Sequence, residues 1–245
     1  MSFRYFITFS YKGTAYHGWQ KQPNAISVQE VLEKSLSMIL NSSVEVVGAG
    51  RTDTGVHARK MVAHFDQTQK IENEENLVFR LNSLLPKDIA VEKVELVSLD
   101  KHARFSARSR TYEYHVMQEK NPFGIELATR IIGDLDFDLM NEAASHLLQY
   151  TDFTSFSKLH TDTKTNNCKI TEAYWQKREG IWVFTITADR FLRNMVRAIV
   201  GTLLCVGRGR MTIAEFDEII LAKDRCRAGT SAPAEGLYLV DVKYD

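Results

Sequence analysis

Between residues 3 and 11 the chain reads FRYFITFSY, a run of aromatic and β-branched residues that predicts a strand. The period then changes. Val28, Leu32, Leu36 and Leu40 recur at every fourth position and share one helical face, so residues 27–40 predict an amphipathic helix. Ser27 followed by Glu30 supplies a capping box at its start. Residues 44–48 (VEVVG) and 60–66 (KMVAHFD) predict strands, 75–85 (ENLVFRLNSLL) a second helix and 89–98 (IAVEKVELVS) a further strand. The first half therefore has the order β-α-β-β-α-β.

The second half repeats that order without repeating the sequence. Residues 110–118 predict a strand, 137–149 a helix, and 169–188 a hairpin about Glu179-Gly180. Residues 190–205 and 212–223 predict two helices, and 236–244 a closing strand. The expected class is α+β, with two tandem ferredoxin-like, RRM-like βαββαβ subdomains packed around a central cleft. The expected boundary puts residues 1–103 in the first subdomain and 104–245 in the second. No low-complexity linker separates them.

With 245 residues, 44% of them apolar, the chain has enough material for a packed core. The formal net charge is zero, which argues against indiscriminate binding to polyanions while leaving local patches open. The opening MSFRYFITFSYKG lacks the apolar region and small-residue cleavage site of a secretory signal. The most apolar stretch, MVRAIVGTLLCVG, is too short to cross a bilayer and contains Arg197, so no membrane association is expected. Cys168, Cys205 and Cys226 are scattered and form no Cys-x-x-Cys pair. That indicates neither a disulfide framework nor a zinc site, and it fits a reducing cytoplasm. His57 and His64 lie seven apart, outside any zinc spacing, so structural histidines and no metal are expected.

Against this background residues 48–58, GAGRTDTGVHA, stand out. Gly48, Gly50 and Gly55 permit sharp backbone turns between two expected strands, and Thr52 and Thr54 can hydrogen-bond their own backbone. Asp53 would then project from a rigid loop beside the cationic Arg51. An aspartate that merely caps a turn is the plain alternative. The triplet Asp53-Thr54-Gly55 also occurs in aspartic proteases, where two carboxylates share a proton, but the apolar flanks expected there are missing.

Two basic clusters accompany the loop. Residues 101–116, KHARFSARSRTYEYHV, carry Lys101, Arg104, Arg108 and Arg110 with no acid between them, then Tyr112 and Tyr114 on one strand face. Basic residues interleaved with aromatics suit a polyanion bearing flat bases; a solvated edge strand with core tyrosines is the alternative. In residues 188–210, ADRFLRNMVRAIVGTLLCVGRGR, the spacing of Arg190, Arg193 and Arg197 lines them along one helical face. Arg197 lies within the apolar run, where a charge needs a carboxylate, and Asp53 is a candidate. Arginines snorkelling from an ordinary amphipathic helix are the alternative. Trp19, in HGWQKQ, is either a core anchor or a base-contacting surface.

GRTDTGVHA, RTYEY, FLRNMVRAIVG and SAPAEGLYLV, with YKGTAYHGWQ, HARFSAR and DFTSF, resemble the TruA family of tRNA pseudouridine synthases, in that family's order and over nearly the whole chain. The resemblance implies an isomerase that converts uridine to pseudouridine at positions 38, 39 and 40 in the anticodon stem-loop of tRNA. It implies no cofactor, and a homodimer that holds tRNA across both subunits. Asp53 matches the family's essential aspartate, Tyr112 the tyrosine that stacks on the target base, and Arg197 the arginine that pairs with the aspartate. Arg51, beside Asp53, is expected to contact substrate. Thr54 departs from the alanine usual at that place in the family.

The residues suit this chemistry. A carboxylate must attack the sugar C1′ or the base C6, so it must be ionised, and a neighbouring cation favours the charged form. A tyrosine face can hold the freed uracil. The nucleotide must leave its stack, and basic side chains then track phosphates. Two rivals remain at this stage. A non-catalytic pair of RRM-like modules would lack any reason for an isolated aspartate in a rigid loop, and the RNP1 pattern is absent. A nucleosidase or glycosidase would need two carboxylates where the motif loops offer one.

Overall fold

The computed structural model describes residues 2–124, 126–158 and 165–245. In chain order the elements are β1 (Phe3–Tyr11), α1 (Val28–Leu40), β2 (Val47–Gly48), β3 (His57–Gln67), α2 (Glu74–Leu84), β4 (Ile89–Val97) and β5 (Ser109–Met117), followed by β6 (Thr129–Arg130), α3 (Phe137–His146), β7 (Ile170–Arg178), β8 (Ile181–Ala188), α4 (Met195–Gly207), α5 (Ile213–Ala222) and β9 (Leu237–Lys243). The α+β class expected from the sequence is the class that forms. Two compact units result: Met1–Arg108 with Tyr238–Asp245, and Ser109–Leu237. No helix among the described residues is long and apolar enough to cross a membrane.

In the first unit β3 is the hub. β1 pairs with it antiparallel, from Phe3↔Gln67 to Tyr11↔Ala58, and β4 pairs antiparallel with the other edge of β1. β2 takes the far edge of β3 opposite His64 and Ala63. The order β4-β1-β3-β2 is the ferredoxin-like arrangement. The other end of that same edge carries β9 in parallel, with His57↔Tyr238 and Ala58↔Leu239. The sequence pattern assigns this strand to the second half, whereas almost all of it belongs to the first unit. Alternation marks a strand but does not name its partner. What holds β9 here is specific: Lys60 pairs with Asp241 at 2.7 Å, Tyr244 donates to the Ala103 carbonyl at 2.7 Å, and Phe6 lies 5.1 Å from the Tyr244 ring.

α1 forms where the fourfold spacing places it. Val28, Leu32 and Leu36 are fully buried, and the Ser27 side chain accepts from the Glu30 N–H. Only half of the capping box is used in this way, because the Glu30 carboxylate turns to Lys34 at 2.6 Å.

In the second unit β8 lies between β5 and β7, antiparallel to both, and β6 adds in parallel to β5. The β7–β8 hairpin turns on Glu179 and Gly180, both left-handed (φ 47° and 84°), as a two-residue turn requires. Tyr114, Val116, Phe184 and Ile186 are buried on one sheet face, and Phe137 of α3 stacks on Trp182 at 3.7 Å. α4 begins at Met195 rather than at residue 190. Asn194 is left-handed (φ 66°), a conformation that interrupts a right-handed helix, so Arg190 and Arg193 stand before α4 and do not share a helical face with Arg197.

Candidate active site

Asp53 lies half-buried between β2 and β3, with Thr52 buried and Arg51 and Thr54 exposed. What braces this connection is the segment that follows β1. The Tyr11 hydroxyl lies 2.8 Å from the Thr52 hydroxyl, and both side chains are buried. A bulge between Phe9 and Tyr11 bends the end of β1 at this point. The Gly13 N–H donates to His57 Nδ1 at 3.0 Å. The Trp19 N–H donates to the Thr52 carbonyl at 3.2 Å, the Gly55 N–H to the Tyr16 carbonyl at 3.3 Å, and the Val56 N–H to the Asp53 carbonyl at 3.1 Å. Gly18 is required here. Its φ is +84°, and a Cβ would sit 2.4 Å from the Thr52 carbonyl oxygen.

Trp19 is a core anchor. It is 3% exposed, packs against Phe9 at 5.6 Å, and fills the space that a side chain at Gly48 would need. Of the three glycines in the loop motif, Gly55 alone has a positive φ (78°). Thr52 bonds Tyr11 and not its own backbone. In the segment 11–19 the sequence marks Trp19 and the family-like motif YKGTAYHGWQ, but assigns no role to Tyr11, Gly13, Tyr16 or Gly18. The available signal was two glycines flanked by aromatics just past the end of a strand.

Tyr112 and Tyr114 share a face of β5 but differ in role. Tyr112 meets Phe191 edge-on, with centroids 5.0 Å apart at 83°. The Tyr114 hydroxyl is 2.7 Å from that of Thr129 and donates to the Pro233 carbonyl at 2.9 Å. Burial raises the Tyr114 pKa above the ordinary tyrosine value. Tyr114 is therefore a core residue. Arg197, in the first turn of α4, is half-buried and donates from Nε to the Ala232 carbonyl at 2.7 Å. Asp53 and Arg51 belong to the first unit, and Tyr112 and Arg197 to the second.

The basic cluster at 101–110 serves the fold in part. Arg108 forks onto the Asp245 carboxylate at 2.6 Å, and Arg110 donates to the Asp189 carbonyl at 2.8 Å. Exposed Arg104 lies over the ring of exposed Phe105, 5.6 Å from its centroid. His64 accepts from the Ala103 N–H at Nδ1 (3.2 Å), a bond that needs a neutral imidazole. Burial, reinforced by the nearby Arg4 and His102, pushes its pKa down to about 4. On β5, hydrogen bonds from His115 and then Arg178 hold the Glu113 carboxyl at about 2, against the opposing effect of burial. Among the described residues no group of three His, Cys, Asp or Glu side chains is placed to hold a metal ion.

Two segments, 7–106 and 143–245, match the family described as tRNA pseudouridine synthase, and the chain belongs to that family. It is thus an isomerase acting on uridine in tRNA. The chain is 58% identical over 241 residues to tRNA pseudouridine synthase A of Parabacteroides distasonis, covering 98% of this chain and 96% of that one. It is 58% identical over 244 residues to the Bacteroides thetaiotaomicron protein of the same name, covering 98% and 90%. It is 40% identical over 240 residues to that of Acetivibrio thermocellus, covering 97% and 98%.

Proposed function

We propose that the protein converts uridine to pseudouridine at positions 38, 39 and 40 in the anticodon stem-loop of tRNA, with Asp53 as the nucleophile. The observation that carries this reading is the bracing of the Asp53 loop by Tyr11, Gly13, Tyr16 and Trp19. Such bracing holds a carboxylate in fixed geometry, which is what an attack on a single atom demands.

The reaction has no net redox change. The bond from C1′ to N1 breaks, a bond from C1′ to C5 forms, C5 gives up a proton and N1 gains one. Substrate and product have the same composition, so the chemistry calls for no cofactor. The Asp53 carboxylate attacks C1′ or C6 and departs when the base has turned. Tyr112 offers a ring face that retains the uracil while it rotates. Arg197 supplies the cation that pairs with the Asp53 carboxylate, and Arg51 contacts the substrate backbone. The target nucleotide is flipped out of its stack. The working form is a homodimer in the cytoplasm.

Purified protein and its Asp53→Asn variant would be incubated with tRNA, followed by pseudouridine mapping and a separate tRNA-binding measurement. The amide keeps the shape and cannot act as a nucleophile, so the variant is expected to bind tRNA and form no product. Turnover by the pure variant would remove Asp53 from its role. Free uracil as the product would favour a nucleosidase, and binding without product by the unaltered protein would favour a non-catalytic RNA-binding module.

A further inference from the structure

Arg197 is tied to one residue twice, in opposite directions. Its Nε donates to the Ala232 carbonyl at 2.7 Å, and the Ala232 N–H donates back to the Arg197 carbonyl at 2.9 Å. The direction of the guanidinium therefore depends on where Ala232 stands. Ala232 ends a segment, residues 228–232, that lies directly on the backbone of α4. Contact this close is possible because the facing helix residue is Gly201, one turn beyond Arg197. A Cβ there would meet the Thr230 carbonyl oxygen at 1.8 Å and the Ala232 nitrogen at 3.2 Å.

The segment is held from its outer side by Arg225. One Nη donates to the Ala228 and Gly229 carbonyls at 3.4 and 3.2 Å, and the other to the Ser231 hydroxyl at 2.9 Å. Asn194, the residue just before α4, donates to the same hydroxyl at 2.6 Å. The chain of contact runs from Arg225 to Ser231, to Ala232, to Arg197. The Gly229 N–H also donates to the Thr202 hydroxyl of α4 at 3.0 Å, and Arg225 is the side chain that reaches three residues of the segment at once.

We propose that Arg225 is a positioning residue for Arg197, acting through residues 228–232. The proposal rests on the role given to Arg197 above. Lysine cannot replace Arg225 in it, because three acceptors spaced along a backbone need a planar fork and not a point charge.

The test is single-turnover pseudouridine formation with enzyme in excess, alongside tRNA affinity and thermal melting. Arg225→Ala is expected to slow the step roughly tenfold or more, since small misplacement of a reacting group costs rate steeply. Its tRNA affinity should stay within about twofold, because a single interior contact contributes nothing to counterion release. Arg225→Lys should be equally slow. In an Arg197→Met background, Arg225→Ala should add no further loss. Ser231→Ala, a smaller change that leaves both flanking donors in place, should slow the step in the same non-additive way and covers the case in which Arg225→Ala does not fold. A wild-type rate in Arg225→Ala, where Arg197→Met is slow, overturns the positioning role alone. Losses that add to that of Arg197→Met overturn it too, as does weakened tRNA binding restored by lysine, which would mark a phosphate contact. A wild-type rate in Arg197→Met overturns the role of Arg197 itself and the proposal with it.

Discussion

The Tyr11 hydroxyl stands 2.8 Å from the Thr52 hydroxyl, so the last residue of β1 grips the residue immediately before Asp53. A strand end, itself locked between β3 and β4, thereby fixes a loop far from it in the sequence.

Tyr11→Phe should leave the Thr52 hydroxyl buried and unpaired, at a cost of about 1–3 kcal/mol. Thermal melting should show that loss, and the single-turnover rate should fall while tRNA affinity holds. Thr52→Val removes the other partner. The double variant is expected to be less destabilised than the sum of the two singles; strict additivity would mean that the two hydroxyls do not act as a pair.

Gly18 and Gly50 should respond unequally to alanine. Gly18→Ala meets a carbonyl at 2.4 Å in a left-handed conformation, and should cost roughly 2 kcal/mol or more along with most of the activity. Gly50 faces open space, and Gly50→Ala should change stability by no more than about 0.5 kcal/mol. Equal effects at the two positions would show that the loop is not held by its contact with Gly18.

Stability should fall on mild acidification. The folded value for His64, about 4, lies below the ordinary 6.5, so between those pH values the unfolded chain takes up a proton that the folded chain refuses. The His64 contribution is complete above about pH 6.5 and is lost as the pH drops toward 4. Glu113, held at about 2 against an ordinary 4.5, follows at lower pH: its contribution is complete above 4.5 and is lost toward 2. Melting temperature against pH should therefore decline in two successive windows, and His64→Gln should flatten the first. An unaltered profile in that variant would assign the decline to other groups.

Affinity for tRNA should drop steeply with salt although the chain is neutral overall. Arg104→Ala should reduce the slope of log affinity against log salt by about one. Arg108→Ala should change it less, since Asp245 already neutralises that charge. Equal changes in slope would mean that RNA displaces Asp245.

Local signals carried the elements well. The fourfold spacing from Val28 and the Glu179-Gly180 turn were written in neighbouring residues, and both formed where expected. The start of α4 was not legible, because apolar spacing runs through Asn194 and only the backbone shows its left-handed turn. The sequence likewise marked the Asp53 loop as unusual but not its support, since the bonds from Tyr11, Gly13 and Trp19 join residues distant along the chain. β2 shrank from five expected residues, 44–48, to Val47–Gly48, and β3 began at His57 instead of residue 60. How long a strand runs depends on which neighbour offers partners, and that information is non-local.

The place of β9 bears on how the protein is made. The first unit receives His57↔Tyr238 pairing, the Lys60–Asp241 ion pair and the Phe6–Tyr244 contact only from residues translated after the whole second unit. A nascent chain that has emerged through β4 still carries an open edge on β3 beside the Asp53 loop. Contacts of such high sequence separation form slowly, so closure of the β3 edge at His57 and Ala58 becomes a late event in biogenesis, one that follows translation of the second unit.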